Sequence, residues 1–325
     1  MTRQVCKAPF LDYNCQIMNL ASVVRAVRNG PMACRVLARS KRTGTTPRDW
    51  FSGVDDDTWL WMNTVGRRRF RPLAAIVPGV PDAYVQTNYT GNSEDATLRE
   101  GFVAYRLFKN YYETHVGPIA SCRGVLDFGC GWGRIVRFFL RDVLAEKVSG
   151  VDHSEEAIQA CRKTNRWSTF SLIDPHPPTA LPNNSFDLIY LYSVFSHLPE
   201  EMHLTLLREF QRLLVPGGLL IATTRGREFI QYCASLQKDP HLQDQPRWLS
   251  QLSGIFQPEA AALAAYDNGS FCYEEFGVEG RWSFWGEACI PKEYVQKRWS
   301  EMFEVLDYVD DRAVCEQNVI VVRKT

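Results

Sequence analysis

The chain contains no run of about 18 apolar residues, which excludes a conventional membrane-spanning helix. It also has no CxxC pair and no Cys/His cluster at zinc-ligand spacing, although 10 cysteines are scattered along it. A structural metal centre or a disulfide framework is therefore not expected. The cysteines in apolar contexts read as small core residues of a reduced, cytoplasmic protein. No internal repeat or low-complexity tract is present. Net charge is lacking too, with 37 basic and 37 acidic side chains.

What is present is ordinary for a soluble globular protein: 45% hydrophobic and 23% charged residues in a chain of 325. That length suits one large domain with additions, or two small ones. The charge is unevenly spread. Between Arg3 and Arg71 basic residues outnumber acidic ones, with clusters at Arg39-Ser-Lys41-Arg42 and Arg67-Arg68-Arg69. This is either an electropositive surface for a nucleotide, a phosphorylated substrate or an anionic polymer, or a solvated face balanced by acids elsewhere. Asp12 and the lack of serine enrichment argue against an organelle transit peptide.

Residues 121–224 alternate strand and helix signals, the pattern of a parallel α/β sheet. Strands are expected at 125–128, 148–152, 169–173, 186–192 and 219–223. A helix is expected over 135–143, with Ile135, Val136, Phe139, Leu140 and Val143 on one face, and another from about Glu200 to Leu214. Ser154 followed by Glu155-Glu156 reads as the N-cap and acidic first turn of a third. Residues 226–290 carry mixed helix and loop signals with many aromatics, among them Trp248, Phe276, Trp282, Phe284 and Trp285. Pro291 opens a helix to about Met302, followed by strands at 303–309 and 318–322 whose short connection suits a hairpin. Earlier, residues 20–37 have helical spacing interrupted at Gly30-Pro31. Pro72, Pro78, Gly79 and Pro81 then mark a loop-rich approach to a helix over about 97–114.

The most informative segment is the turn Asp127-Phe-Gly129-Cys130-Gly131-Trp-Gly133 after the first strand. Glycines there let the backbone pass close to a ligand and aim the next helix N-terminus at it. Dinucleotide sites use the same device, but they want a small residue where this chain has Arg134 and an apolar one where it has Asp127.

Val125-Leu-Asp-Phe-Gly-Cys-Gly-Trp-Gly-Arg-Ile135 resembles motif I of the class I S-adenosylmethionine-dependent methyltransferases. The resemblance continues in register through Gly150-Val-Asp152-His-Ser154, Ile173-Asp174, the segment from Phe186 to Leu198, and Leu213-Leu-Val-Pro-Gly-Gly-Leu-Leu220. The tail from Tyr294 to Val322, with Trp299 and Phe303-Glu-Val-Leu306, resembles the closing part of the bacterial small-molecule branch.

The resemblance implies a Rossmann-like α/β three-layer sandwich with a mostly parallel seven-stranded sheet and an antiparallel last strand. It implies a methyltransferase domain over 101–325, in which 226–290, between strands five and six, forms a substrate lid. Residues 1–100 carry no motif of that family; by their own signals they are expected to form a helical, loop-rich N-terminal extension, a candidate substrate or cap region. S-adenosyl-L-methionine is the implied cofactor. Asp152 would accept the ribose hydroxyls, while Gly129, Cys130 and Gly131 bring the backbone to the methionine part. Asp127 would order the turn or meet the ammonium group. Ile173 and Asp174 would flank the adenine, although Asp174 also suits a loop cap. Leu191 and Tyr192 would line the methionine end; His153 would stack near the adenosine or be exposed.

A sulfonium methyl is already activated, so the protein must chiefly align the nucleophile, and a base helps only where a proton must leave. His197 is the candidate base, or else a histidine fixing the strand-to-helix loop. Glu287 and Tyr273 are further candidates, and His203 is expected on the surface. The reading is methyl transfer to oxygen or nitrogen of a small or medium-sized metabolite, such as a sugar. A nucleic-acid methyltransferase using the basic N-terminal region is the alternative, and a non-catalytic scaffold a third. Tyr192-Ser-Val-Phe stands where an adenine-N6 enzyme would carry Asn/Asp-Pro-Pro-aromatic, and no cysteine suited to cytosine-C5 chemistry lies in that loop. Nucleic acid is therefore an unlikely partner.

Overall fold

The computed structural model describes residues 20–244, 247–275 and 285–325, and side chains only from residue 29 in its first helix. Arg3, Cys6, Asp12, Cys15, Phe276, Trp282 and Phe284 lie outside the described residues.

Nine strands are described: β1 (Val125–Phe128), β2 (Val148–Asp152), β3 (Thr169–Leu172), β4 (Phe186–Leu191), β5 (Leu214–Thr224), β6 (Cys272–Glu275), β7 (Gly286–Cys289), β8 (Glu304–Val309) and β9 (Asn318–Arg323). Seven form one sheet in the order β3-β2-β1-β4-β5-β9-β8. The pairs among β1 to β5 are parallel, and β9 runs antiparallel to both β5 and β8. The expected sheet and its closing hairpin are thus observed. Strand order reverses between β1 and β4, and a doubly wound sheet opens its ligand crevice beyond the carboxyl ends of the strands at such a point. The glycine turn follows β1 there.

The sheet is buried on both faces, which is why β1 and β4 are apolar or buried throughout. On one face Leu126, Ile189, Leu191 and Leu220 pack with Leu206, Leu207 and Phe210 of helix Glu200–Leu213 and with Trp299. On the other, Val125, Leu188, Tyr190 and Ile221 join a core that includes Trp59, Phe102, Tyr105 and Phe108 from the N-terminal part of the chain. A third core lies in the segment after β5, where Phe229, Ile230, Leu252, Phe256 and Tyr266 meet Cys272 and Cys289.

Several elements differ from expectation. The amphipathic helix over 135–143 is instead a 3-10 segment, Val136–Arg141, buried at every residue. It has no solvent face because the N-terminal region covers it. Trp59 Nε1 donates to the Phe138 carbonyl at 3.1 Å, Arg141 Nη1 donates to Val54 O at 3.2 Å, and Arg137 reaches the Gly79 carbonyl. The turn therefore aims no regular α-helix dipole at the ligand. Helix Leu20–Ser40 passes through Pro31 without a break, with Ala33 and Val36 buried on its packed side. The residues before helix Glu94–His115 are less loop-like than expected: Asp56–Trp61, Arg71–Ala74 and Ala83–Thr90 are all helical. The segment after Pro291 has only a short helix, Lys292–Tyr294, continued by a π turn, Val295–Trp299.

The strand pair β6–β7, absent from the sequence reading of 226–290, forms a separate two-stranded sheet. Among the described residues, eight cysteines are free thiols and seven of them are buried. None of the described helices is long and apolar enough to cross a membrane. Two of the basic side chains are engaged within the chain: Arg39 donates to Ser52 O at 2.7 Å, and Arg68 Nη2 bonds Asp95 Oδ2 at 2.8 Å.

Candidate active site

The turn after β1 is bent by three glycines in the left-handed region, Gly129 at φ 76°, Gly131 at 51° and Gly133 at 79°. A side chain at Gly129 would also collide with Val194, whose Cγ2 would lie 2.4 Å from the added Cβ. The turn is fastened to the end of β2: the Gly129 and Cys130 amides donate to Val151 O at 2.8 and 3.0 Å. Asp152 completes the fastening, accepting Gly131 N on Oδ2 at 2.9 Å and Ser154 N on Oδ1 at 2.8 Å. Its carboxylate is buried at the tip of β2, held by backbone donors, and each oxygen retains lone-pair capacity for a ligand hydroxyl.

Asp127 is buried beneath the turn, and its carboxyl is pushed up to about 7. Burial is the main cause, and the Asp152 charge adds to it. Tyr190, Arg134 and the Val136 amide pull the other way. A cationic group arriving beside Asp127 would favour its ionised form.

The other expected cofactor contacts divide. Cys130 offers the turn only its backbone, because its buried thiol faces Cys161 and Gly150. Leu191 has its side chain in the core below the site. Tyr192 is half-buried, with the Arg134 guanidinium 4.9 Å above its ring. Ile173 is half-buried, and its amide bonds Asp152 O at 3.0 Å. Exposed Asp174 accepts from His176 N at 2.8 Å, the loop-cap arrangement, and His153 is exposed with Nδ1 3.6 Å from Asp152 Oδ1.

The sequence names no residue of the cover over the turn. Tyr89, at the end of helix Ala83–Thr90, lies against Gly131 and hydrogen-bonds Ser154 Oγ at 2.6 Å. Glu100, in helix Glu94–His115, pairs with Arg134 Nη1 at 2.7 Å. Arg134 was visible as an oddity of the turn, but nothing local points to a partner 34 residues earlier.

Beyond β4 the chain turns sharply at Ser193, with φ 60°. This residue is tied to the sheet by Ser193 N to Thr223 Oγ1 at 2.8 Å, Thr223 Oγ1 to Gln317 Oε1 at 2.7 Å, and Gln317 Nε2 to Ser193 Oγ at 2.9 Å. The loop then delivers His197. Its ring stacks on Trp285, with centroids 4.4 Å apart and planes 13° off parallel. Its Nδ1 lies 3.1 Å from Gly286 O and 3.4 Å from Glu287 Oε1, both on β7. Nε2 has no protein partner among the described residues. Glu287 is buried, and Arg225, just after β5, places Nε 3.5 Å from its Oε2. Burial raises the Glu287 carboxyl, but His197 and Arg225 outweigh it and leave the group below its ordinary range. Two weaker sequence candidates thus fare differently. Glu287 meets His197, whereas Tyr273 sits on neighbouring β6, half-buried and paired with Ala288.

His203 is a correction. It is fully buried rather than on the surface, stacked on Phe195 at 3.9 Å, and burial drives its pKa down to about 3. It belongs to the core stripe of its helix.

With this geometry in place, comparison with known proteins is specific. Residues 125–218 match the family described as a methyltransferase domain. The trans-aconitate 2-methyltransferase of Delftia acidovorans is 31% identical over 104 residues, which are 32% of this chain and 38% of that enzyme. A tRNA N(3)-cytidine methyltransferase of Gallus gallus is 29% identical over 135 residues, 38% of this chain and 36% of that protein. A solved S-adenosylmethionine dependent methyltransferase from Mesorhizobium loti shares 16% identity, with 68% of this chain and 100% of that chain covered at a TM-score of 0.46. The chain thus spans less than two fifths of the length of these two curated relatives. Glycine turn, second-strand acid, sheet order and domain match agree: the chain carries a class I S-adenosylmethionine-dependent methyltransferase domain, similar over that stretch to bacterial small-molecule methyltransferases.

Proposed function

We propose that the protein transfers the methyl group of S-adenosylmethionine to an oxygen or nitrogen of a small or medium-sized metabolite. The observation that carries this reading is the alignment, at the carboxyl ends of β1, β2 and β4, of the fastened glycine turn, buried Asp152 and the loop bearing His197. The residues present suit the cofactor. Gly129 and Gly131 suit a close backbone approach, and buried Asp152, with lone pairs left over, suits ribose hydroxyls. Buried Asp127 suits the ammonium group, while Tyr89 lies against Gly131 and Tyr192, just after β4, stands under the Arg134 guanidinium. Ile173 flanks the adenine side. Asp174, already committed to its loop, is a weaker contact.

When bound, the cofactor supplies a methyl group already activated on sulfur. The chain's own task is to orient the acceptor in line with that group and, where needed, receive its proton. His197 is placed for the second task. The segment after β5, with β6 and β7 beside His197, supports a role as acceptor lid.

Calorimetry with S-adenosylmethionine tests the reading. Binding is expected, and Asp152→Ala should weaken it by at least tenfold, because the variant loses both the ribose acceptor and the tie to Gly131. Folded protein that does not bind would sink the proposal.

A further inference from the structure

Glu287 is costly where it stands. It is a buried carboxylate, and its Oε2 and the facing Arg225 Nε are both buried and unbonded. A buried ion pair of this kind is poor value for stability alone, since an apolar residue would fill the space at less desolvation cost. The contacts that remain converge on one ring. Glu287 Oε1 and Gly286 O both face His197 Nδ1, at 3.4 and 3.1 Å, and Trp285 stacks flat against the imidazole. Gly286 and Glu287 belong to β7, whose partner β6 holds it in register through Tyr273↔Ala288 and Glu274↔Glu287. Arg225 arrives separately, from the end of β5, and is steadied by the face of Phe229 at 4.5 Å.

We propose that Glu287 is a positioning residue that holds His197 with its proton on Nδ1 and Nε2 open, and that the pair serves an acceptor whose nucleophile is a hydroxyl. This rests on the methyltransferase reading above. Gly286 O, at hydrogen-bond distance, and the Glu287 charge beside it both favour the hydrogen on Nδ1, and the carboxylate supplies the part of that bias that the backbone carbonyl alone does not. Glu287 then stabilises the imidazolium that forms when Nε2 takes a proton, while Arg225 keeps Glu287 charged. In the step itself, the hydroxyl oxygen bonds to the methyl carbon and the carbon–sulfur pair stays on sulfur as a neutral thioether. The hydroxyl proton passes to His197 Nε2. A carboxylate acceptor has no proton to give and would bring a second anion toward buried Glu287. An ammonium acceptor has no lone pair until a proton has already left.

The test reads the histidine directly. With ¹⁵N-histidine-labelled full chain and S-adenosylhomocysteine, neutral His197 should show a protonated Nδ1 and an unprotonated Nε2. A proton on Nε2 overturns the proposal. In Glu287→Ala a measurable fraction of the ring should shift its proton to Nε2. Glu287→Gln keeps an oxygen there and should retain the wild-type tautomer, which separates positioning from mere packing. An unchanged tautomer in Glu287→Ala removes the positioning role. The acceptor class is probed with trans-aconitate, which carries carboxylates and no hydroxyl; methyl transfer to it above background overturns the hydroxyl assignment. Calorimetry keeps the two readings apart. An Nδ1-protonated His197 in a protein that does not bind S-adenosylmethionine would fail the methyltransferase reading and leave the His197–Glu287 geometry standing.

Discussion

The proposed cofactor end and the proposed acceptor end of this molecule are built on different principles. The cofactor end is made mainly by backbone: three left-handed glycines, amides donating to Val151 O, and one carboxylate bonding two amides. Its parts lie in one stretch, and residues 125–218 match a domain family as a block. The acceptor end is made by side chains from distant places: His197 after β4, Arg225 after β5 and Glu287 on β7. Backbone geometry tolerates few sequences and so leaves a readable pattern. Side-chain convergence tolerates many, and only the folded chain reveals it.

The comparison can be broken most forcefully at Asp127. Its carboxyl is pushed up by burial to about 7, above its unfolded value, so its stability contribution is present in acid and lost as pH rises toward 7. Asp127→Asn should therefore be more stable than wild type at pH 8, by up to roughly 4 kcal/mol in urea unfolding, while binding S-adenosylmethionine less well. Because a cation favours the ionised form, wild-type binding at pH 6 should release protons, seen by calorimetry in buffers of different ionisation enthalpy. Equal stability at pH 8 with intact affinity would show that backbone alone makes the cofactor end.

His203 sharpens the comparison from outside the site. Its pKa is depressed to about 3, so the folded protein keeps its full stability above the unfolded value of 6.5 and loses it as pH falls from there toward 3. At pH 5 the loss is about 2 kcal/mol. His203→Leu should narrow the gap between unfolding free energies measured at pH 8 and pH 5 by that amount. An unchanged gap would mean that acid sensitivity lies elsewhere.

Tyr89→Phe tests whether the cover belongs to the cofactor end. It removes the bond to Ser154 and should cost about 1 kcal/mol, read as a roughly fivefold loss of S-adenosylmethionine affinity, while the fold persists. The smallest effect is expected at Arg68, whose partner Asp95 shares a partly exposed site. Arg68→Ala should change stability by less than about 1 kcal/mol and leave cofactor binding unaltered. A large loss of RNA binding instead would favour the nucleic-acid reading.

These contrasts also explain what the sequence disclosed. The strand order around the turn and the closing hairpin were legible because apolar strands punctuated by glycine have few other fates. The start of β5 was set too late. The strand begins at Leu214 and runs through Pro216-Gly217-Gly218, with a pairing irregularity opposite Phe186 and Leu188 that absorbs the turn residues. His203 was misplaced by its polarity, yet it stands three and four residues before Leu206 and Leu207, on the same face of the helix. The 3-10 segment after the turn was read as amphipathic because Arg137 and Arg141 look like solvent-facing residues. They instead reach the Gly79 and Val54 carbonyls. No local signal marks Tyr89, Glu100 or Arg225, although Arg225 directly follows central strand β5, the position where α/β sheets place ligand groups.

The tie between Gln317, Thr223 and Ser193 has a consequence at a distance. It joins the hairpin near the end of the sequence to the loop that carries His197, through two hydrogen bonds of 2.7 and 2.9 Å. A change in the connection between β8 and β9 that moved Gln317 out of reach of Thr223 and Ser193 would loosen the loop that carries His197, although no residue of that loop had changed. The length of that connection is therefore tied, through Gln317, to the loop that carries His197.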